Sequence, residues 1–323
     1  MPEACPRSTE WHLALDLPSN FTSTFEKNDY VQAPRLLEMS DISRLSGQFV
    51  QVSSPEPHVV LVELSRKPVN AFSDEFWQEY GRVFDAISQE HDVRVVVLTS
   101  ANPKFFSAGL DLKSLSGFDK YESEAARRTL QLKAHIDTFQ RSIGAAERCP
   151  YPVIVAVHGI ALGISIDIMT ACDIRYAASD ATFSVKEIDI GLAADVGTLA
   201  RLPKVAGNQS LVREFAYTAR NFSAAEAEKV GLVSKVVQGG RDEVVQAALE
   251  TAKLIASKSP VGVLGTKHLL LHSRDHTMQD NLDYTATWNG AMIQTGDIPE
   301  ALKSFQVKQK PVFSPLRKPS PKL

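Results

Sequence analysis

The chain has 323 residues, 44% hydrophobic and 23% charged, which is the balance of a folded globular protein and excludes wholesale disorder. Its 35 basic and 38 acidic residues leave a net charge of −3, so there is no overall basic field for nonspecific nucleic-acid binding. Three cysteines (Cys5, Cys149 and Cys172) without a C-x-x-C pair exclude a disulfide framework and a thiolate zinc site, and they fit a reducing compartment.

Residues 1–30 carry only Arg7 and Lys27 against five acids, unlike an Arg-rich mitochondrial presequence, and no secretory apolar run follows. Residues 1–54 show little periodicity and predict a weakly structured N-terminal extension. The β-branched run His58–Leu64 predicts a strand. Ser73 before Asp74 and Glu75 predicts a helix start, and Phe76, Tyr80, Val83, Phe84 and Ile87 follow at helical spacing. Val93–Thr99 is almost wholly apolar, as parallel strands covered on both faces are. One helix is expected over 123–147, ended by Pro150 and Pro152. A strand at Val153–Val157, a helix over 164–172 and a strand at Asp173–Ala177 come next. The stretch 152–172 is apolar enough to compare with a membrane span. Gly159, Gly163 and Asp167 argue for a buried strand–turn–helix instead, so no membrane span is expected.

The strand–helix alternation over 58–200 predicts an α/β core, assigned to 55–235, with right-handed crossovers. Ser223 and Glu226 form an S-x-x-E capping box. Helices expected at 242–257, 261–272, 277–294 and 298–308 make a C-terminal helical region, 236–312. The tail, 313–323, ends Pro321-Lys322-Leu323. Its last two residues match the Ser-Lys-Leu peroxisomal address, and a chance basic tail reads the same way.

Two glycine-containing turns follow strands: Ala108-Gly109-Leu110-Asp111 and Leu162-Gly163-Ile164. Side by side, such turns can aim two backbone N–H groups at one oxygen, an oxyanion hole; ordinary tight βα turns have the same composition. A third segment, 185–197, sets Glu187, Asp189 and Asp195 among apolar residues, and Asp167 lies in an apolar run. A carboxyl in an apolar pocket has a raised pKa, and two that share a site cannot both ionise easily. One can then act as base while its neighbour acts as acid. Helix caps and structural ion pairs are the alternative for any single acid.

At this point the sequence resembles the crotonase (enoyl-CoA hydratase/isomerase) superfamily, and within it the Δ3,5-Δ2,4-dienoyl-CoA isomerases. The resemblance covers about 55–312 and is carried by FSAGLDL (106–112), the ALG turn before Asp167, ACDIRYA (171–177) and VKEIDIGLAADVGTLARLPK (185–204). It implies a crotonase-like ββα spiral core with a C-terminal helical trimerisation region, hence a homotrimer or homohexamer. The implied substrate is an acyl-CoA thioester, with no cofactor beyond the coenzyme A of the substrate itself and no metal. It implies oxyanion donors at the N–H groups of Leu110 and Ile164, with Ala108, Gly109, Asp111 and Gly163 around them. Glu187 and Asp195 match the two acid/base residues of those isomerases, and Asp167 matches a third acid of their pocket. The implied reaction removes a proton from C2 of a 3,5-dienoyl-CoA and returns one at C6. A peroxisomal location follows if the C-terminal tripeptide engages an import receptor; the mitochondrion is the alternative.

One departure stands out. The family's second turn usually has consecutive glycines, whereas here Ile164, Ser165 and Ile166 follow Gly163. A β-branched residue at positive φ would be strained, and its bulk would narrow an acyl pocket. A hydratase of the superfamily has two glutamates at the positions of Asp167 and Glu187, and a glycine at that of Asp195. The acid at 195 therefore favours proton shuttling over water activation, with hydratase or a noncatalytic acyl-CoA binder as alternatives. His268, His272 and His276, four apart, have metal-binding spacing, but no H-E-x-x-H accompanies them, so a surface or interface helix is the plainer reading. No dinucleotide or P-loop glycine motif occurs.

Overall fold

The computed structural model describes residues 41–115 and 121–316. Among the described residues, ten strands form two sheets. The larger holds β1 (Val50–Glu56), β2 (Val59–Leu64), β3 (Val95–Ser100), β5 (Val153–Val157), β7 (Ile174–Ala178) and β10 (Lys235–Val237), in that order across the sheet. The smaller holds β4 (Phe105–Ser107), β6 (Ile160–Leu162), β8 (Thr182–Ser184) and β9 (Phe222–Ser223). β1 and β2 pair antiparallel, and from β2 onward the large sheet is parallel. Each of β3, β5 and β7 is followed in the chain by one short strand of the second sheet, so every turn of the chain adds a strand to both. This is the ββα spiral expected.

Burial explains why the strands read as unbroken valine and isoleucine. Val60, Val62, Val96, Leu98, Val153 and Val155 face one core, with helix 74–87 against it. Val59, Val95, Val97, Ile154 and Ala156 face a second, covered by helix Arg241–Ala256. A strand buried on both faces has no polar side to alternate with.

Several expectations are corrected. The extension assigned to 1–54 is structured from residue 41. A 3-10 turn (Ile42–Leu45) leads into β1, and Val50 and Val52 are buried. The organiser is the buried Glu79, whose carboxylate accepts the amides of Gln48 (3.1 Å), Phe49 (2.6 Å) and Val50 (2.8 Å). An acid thirty positions away carries no local pattern. Residues 1–40 and the terminal tripeptide lie outside the described residues. The single helix expected over 123–147 is two, Ala125–Ile143 and Ala145–Arg148. They part at Gly144, where a side chain would be crowded by the Gln140 carbonyl and the guanidinium groups of Arg201 and Arg148. Ser73 holds the cap position, but its hydroxyl accepts no amide of that helix. The reciprocal box at Ser223 and Glu226 is present. Helices Arg241–Ala256, Pro260–His272, Met278–Met292 and Asp297–Gln306 complete the C-terminal region. No helix among the described residues is long and apolar enough to cross a membrane.

Candidate active site

Three neighbouring strands of the small sheet point the same way and release the site from their C-terminal ends, where parallel sheets bind ligands. β4 leads into Ala108-Gly109-Leu110-Asp111, β6 into Gly163-Ile164, and β8 into Lys186-Glu187. All three ends meet in one cleft of about 390 Å3, lined by Ala108, Gly109, Leu110, Asp111, Gly163 and Glu187, together with Ala71, Lys186 and Asp189.

The two turns touch. A side chain on Gly163 would lie 3.9 Å from the Gly109 Cα, and one on Gly109 would lie 3.5 Å from the Leu162 carbonyl. Phe72 donates its amide to Gly109 O and accepts from the amide of Asp111, both at 2.9 Å. In that parallel bridge the intervening Leu110 turns its own N–H away from Phe72, and it meets no acceptor among the described residues. Ile164 is the first residue of helix Ile164–Ala171, so its N–H has no partner within the helix. The positive φ, +52°, falls on Gly163; Ile164 is helical, and its side chain is buried in the core. The strain and the narrowing raised by the sequence are both absent, because the backbone reversal is completed one residue earlier.

Asn70 steadies the first turn, and sequence reasoning missed it. Fully buried, it receives the amide of Arg66 (2.6 Å), and its Nδ2 lies within hydrogen-bond distance of Ser100 Oγ and the carbonyls of Leu64 and Phe106. Ser107 Oγ donates to Asn70 O at 2.6 Å and accepts the Gly109 amide at 3.1 Å. Asn70 takes a backbone φ of +51°, a region that Asn tolerates better than most residues, and its residue type is the one trace of this role in the sequence. Asp111 is paired with Arg66 at 2.9 Å. Partial burial pushes its carboxyl up, but the Arg66 guanidinium together with the Lys113 amide and charge outweighs this and holds it below its ordinary value.

The acids divide. Glu187 stands in the cleft with Oε1 beside Gly163, 3.1 Å from where a side chain would begin there. Its Oε2 is buried and has no hydrogen-bond partner among the described residues. Burial pushes its carboxyl up, and Asp195 adds to the rise. Asp167, 1% exposed, lies one turn into helix 164–171. Burial and then the Glu187 charge raise it to about 7, against the Thr198 amide, which donates to its Oδ1 at 2.6 Å. Asp195 is exposed and lines a second cleft of about 420 Å3 with Gln140, Val196, Gly197, Leu199 and Arg201. The sequence put Glu187 and Asp195 in one cavity. Instead they border neighbouring clefts at the two ends of the 187–195 segment, within electrostatic reach of each other.

The histidine row is taken up in packing between helices. His268 stacks on Trp288 and bonds Tyr284 Oη at 2.8 Å, His272 stacks on Tyr284 and His276, and so the row packs two helices together. No group of three or more metal-ligating side chains occurs among the described residues.

Comparison with known proteins agrees with this geometry. The profile of the Enoyl-CoA hydratase/isomerase family matches residues 55–315. The mouse mitochondrial Delta(3,5)-Delta(2,4)-dienoyl-CoA isomerase is 44% identical over 272 residues, covering 83% of each chain. The Arabidopsis thaliana peroxisomal isomerase of the same name is 43% identical over 251 residues, 77% of this chain and 89% of that one. Among solved structures, an enoyl-CoA hydratase from Bacillus anthracis superposes with a TM-score of 0.74 at 31% identity, over 83% of this chain and 99% of that one.

Proposed function

The chain belongs to the enoyl-CoA hydratase/isomerase family, and we propose that it is a Δ3,5-Δ2,4-dienoyl-CoA isomerase of fatty-acid β-oxidation. The observation that carries this is the environment of Glu187: a buried, unpartnered carboxylate oxygen beside two unpaired amides, with a second carboxylate beyond it.

The thioester oxygen accepts the N–H groups of Leu110 and Ile164. These fixed dipoles favour the enolate over the ground-state carbonyl, because negative charge grows on that oxygen as the C2 proton leaves. Glu187 takes that proton, and its raised affinity for protons makes it the better base. The electron pair spreads from C2 to C6 through the diene. Asp195 returns a proton at C6, leaving double bonds at C2 and C4. C2 and C6 are four bonds apart, so the two carboxylates act at separate points along one acyl chain. Asp195 is open to solvent, so turnover in heavy water should put deuterium at C6 of the product.

Hydration of a 2-enoyl-CoA is the second reading, favoured by the structural likeness to the Bacillus anthracis hydratase. Asp167 argues against it. A hydratase needs two carboxylates free to hold one water, and Asp167 is sealed in with its oxygen committed to Thr198.

The decisive experiment gives a 3,5-dienoyl-CoA to the wild type, Glu187→Gln and Asp195→Asn, and follows the red-shifted absorbance of the 2,4-dienoyl product. Wild-type turnover is expected, with each variant slowed at least ~100-fold while binding of the CoA ester stays within about tenfold. Consumption of a 2-enoyl-CoA in place of the diene would favour the hydratase, and binding without turnover of either would leave a noncatalytic binder. A homotrimer or homohexamer is proposed from the exposed apolar side chains of the C-terminal helices. An oxidative organelle, mitochondrion or peroxisome, is proposed from the relatives' two locations.

A further inference from the structure

Asp167 keeps its place through one hydrogen bond, from the Thr198 amide at 2.6 Å. Thr198 begins helix Thr198–Val205, so the position of that amide depends on what holds the helix start. Backbone bonds from Ala200 and Arg201 to Gly197 O close the first turn. The Arg201 side chain then folds back over Gly197. Its Nη1 lies 1.9 Å from where a side chain at 197 would begin, so the guanidinium fills the space that any other residue would need. The same absent atom would sit 3.7 Å from Asp167 Oδ1, so only the 197–198 backbone stands between the cation and the buried carboxylate.

Arg201 is itself gripped from behind. Glu147 Oε2 accepts from its Nε (3.2 Å) and Nη2 (3.0 Å), and Glu147 Oε1 accepts from Arg274 at 2.6 Å. One acid between two arginines leaves the cluster with a net positive charge. A two-point carboxylate–guanidinium pair fixes orientation as well as distance. Arg201 is therefore a strut from helix Ala145–Arg148 to the Thr198 peptide.

We infer that Arg201, oriented by Glu147, is a positioning residue for the reaction, seating the Thr198 amide on Asp167 and so fixing the charge that Glu187 feels from behind. Asp167 is faced by Glu187 from the segment after β8 and by the Thr198 amide and Arg201 from helix 198–205. Behind Arg201 stand Glu147 and Arg274, while the buried Tyr80 hydroxyl lies within its field and Asp195 lies beyond Glu187. Without the strut the amide is free to withdraw, Asp167 loses its one hydrogen bond and its nearest cation, and it takes a proton more readily. Glu187 then faces a neutral neighbour and is a weaker base.

The inference rests on the isomerase reading for its kinetic consequence but not for its direct readout. Difference infrared spectroscopy would follow the Asp167 carboxyl, identified by its loss in Asp167→Asn, from pH 5 to 9. In Arg201→Met its titration midpoint should rise by about one pH unit, with a smaller rise in Arg201→Lys and Glu147→Gln. With the dienoyl-CoA, kcat should fall ~10–100-fold and the acid limb of its pH profile, set by the Glu187 base, should move down, KM staying within about threefold. Unchanged Asp167 titration in folded Arg201→Met, or in the milder Glu147→Gln should the first fail to fold, overturns the inference. A merely structural Arg201 would lower thermal stability and leave titration and pH profile where they were, which also overturns it. Failure of the isomerase reading would appear separately, as a wild type inert to the diene.

Discussion

Asp167 and Glu187 are twenty positions apart in the chain and are coupled in the fold, so charge on one costs charge on the other. Asp167 carries its proton up to about pH 7, whereas an unfolded aspartate releases it near 3.8. Between those values the folded state binds more protons than the unfolded state, and stability falls as pH rises. Asp167→Asn keeps an oxygen for the Thr198 amide and abolishes the titration. The variant should therefore gain on the wild type as pH goes from 5 to 8, by about 2 kcal/mol, read from melting curves at both pH values. An equal difference at the two pH values would mean that Asp167 is not protonated when buried. The acids themselves were legible in the sequence, because a carboxylate in an apolar run stands out. Which acid was sealed, which lay in the cleft and which stood in water was not legible, because desolvation exists only after packing.

At the scale of elements, the site is the product of three short parallel strands whose ends coincide. The turn after β6 depends on Gly163, where the chain takes φ +52° and ψ −113° under the Glu187 carboxylate. Gly163→Ala should cost about 1–3 kcal/mol in stability and slow turnover at least ~10-fold by moving both the Ile164 amide and Glu187, measured by denaturation and by the diene assay. Activity at the wild-type level would mean that this turn does not hold the thioester. Glu79 has a purely structural counterpart. Glu79→Ala leaves the amides of Gln48, Phe49 and Val50 without their acceptor and should destabilise the protein by about 2–4 kcal/mol, with kcat unchanged in the folded fraction. Of the large sheet, β2, β3, β5 and β7 were legible from their apolar runs, and the C-terminal helices from periodicity; β1, inside the assigned extension, and the three-residue β10 were not. The short strands β4, β6, β8 and β9 were not, since two or three residues carry no period and are strands only because the neighbouring turns of the spiral pair with them.

For the molecule as a whole, the C-terminal helices expose apolar side chains. No residue of helix Met278–Met292 is buried, Met278 is 82% exposed, and on the next helix Leu302 and Phe305 are 61% and 86% exposed. The proposed homotrimer or homohexamer predicts three or six copies by light scattering, and the double variant Leu302→Glu, Phe305→Glu should lower that mass; a monomeric wild type would refute the assembly. The sequence by itself determined the family, the spiral class, the two turns and the identity of the acids, because each is written in a short contiguous motif. Only the tertiary structure decided which amides lack partners, that the acids border two clefts, and that Arg201 backs Asp167. Those relations join residues far apart in the chain, 31 positions from Asp167 to Thr198 and 127 from Glu147 to Arg274, and no local spacing encodes a distance that packing alone creates.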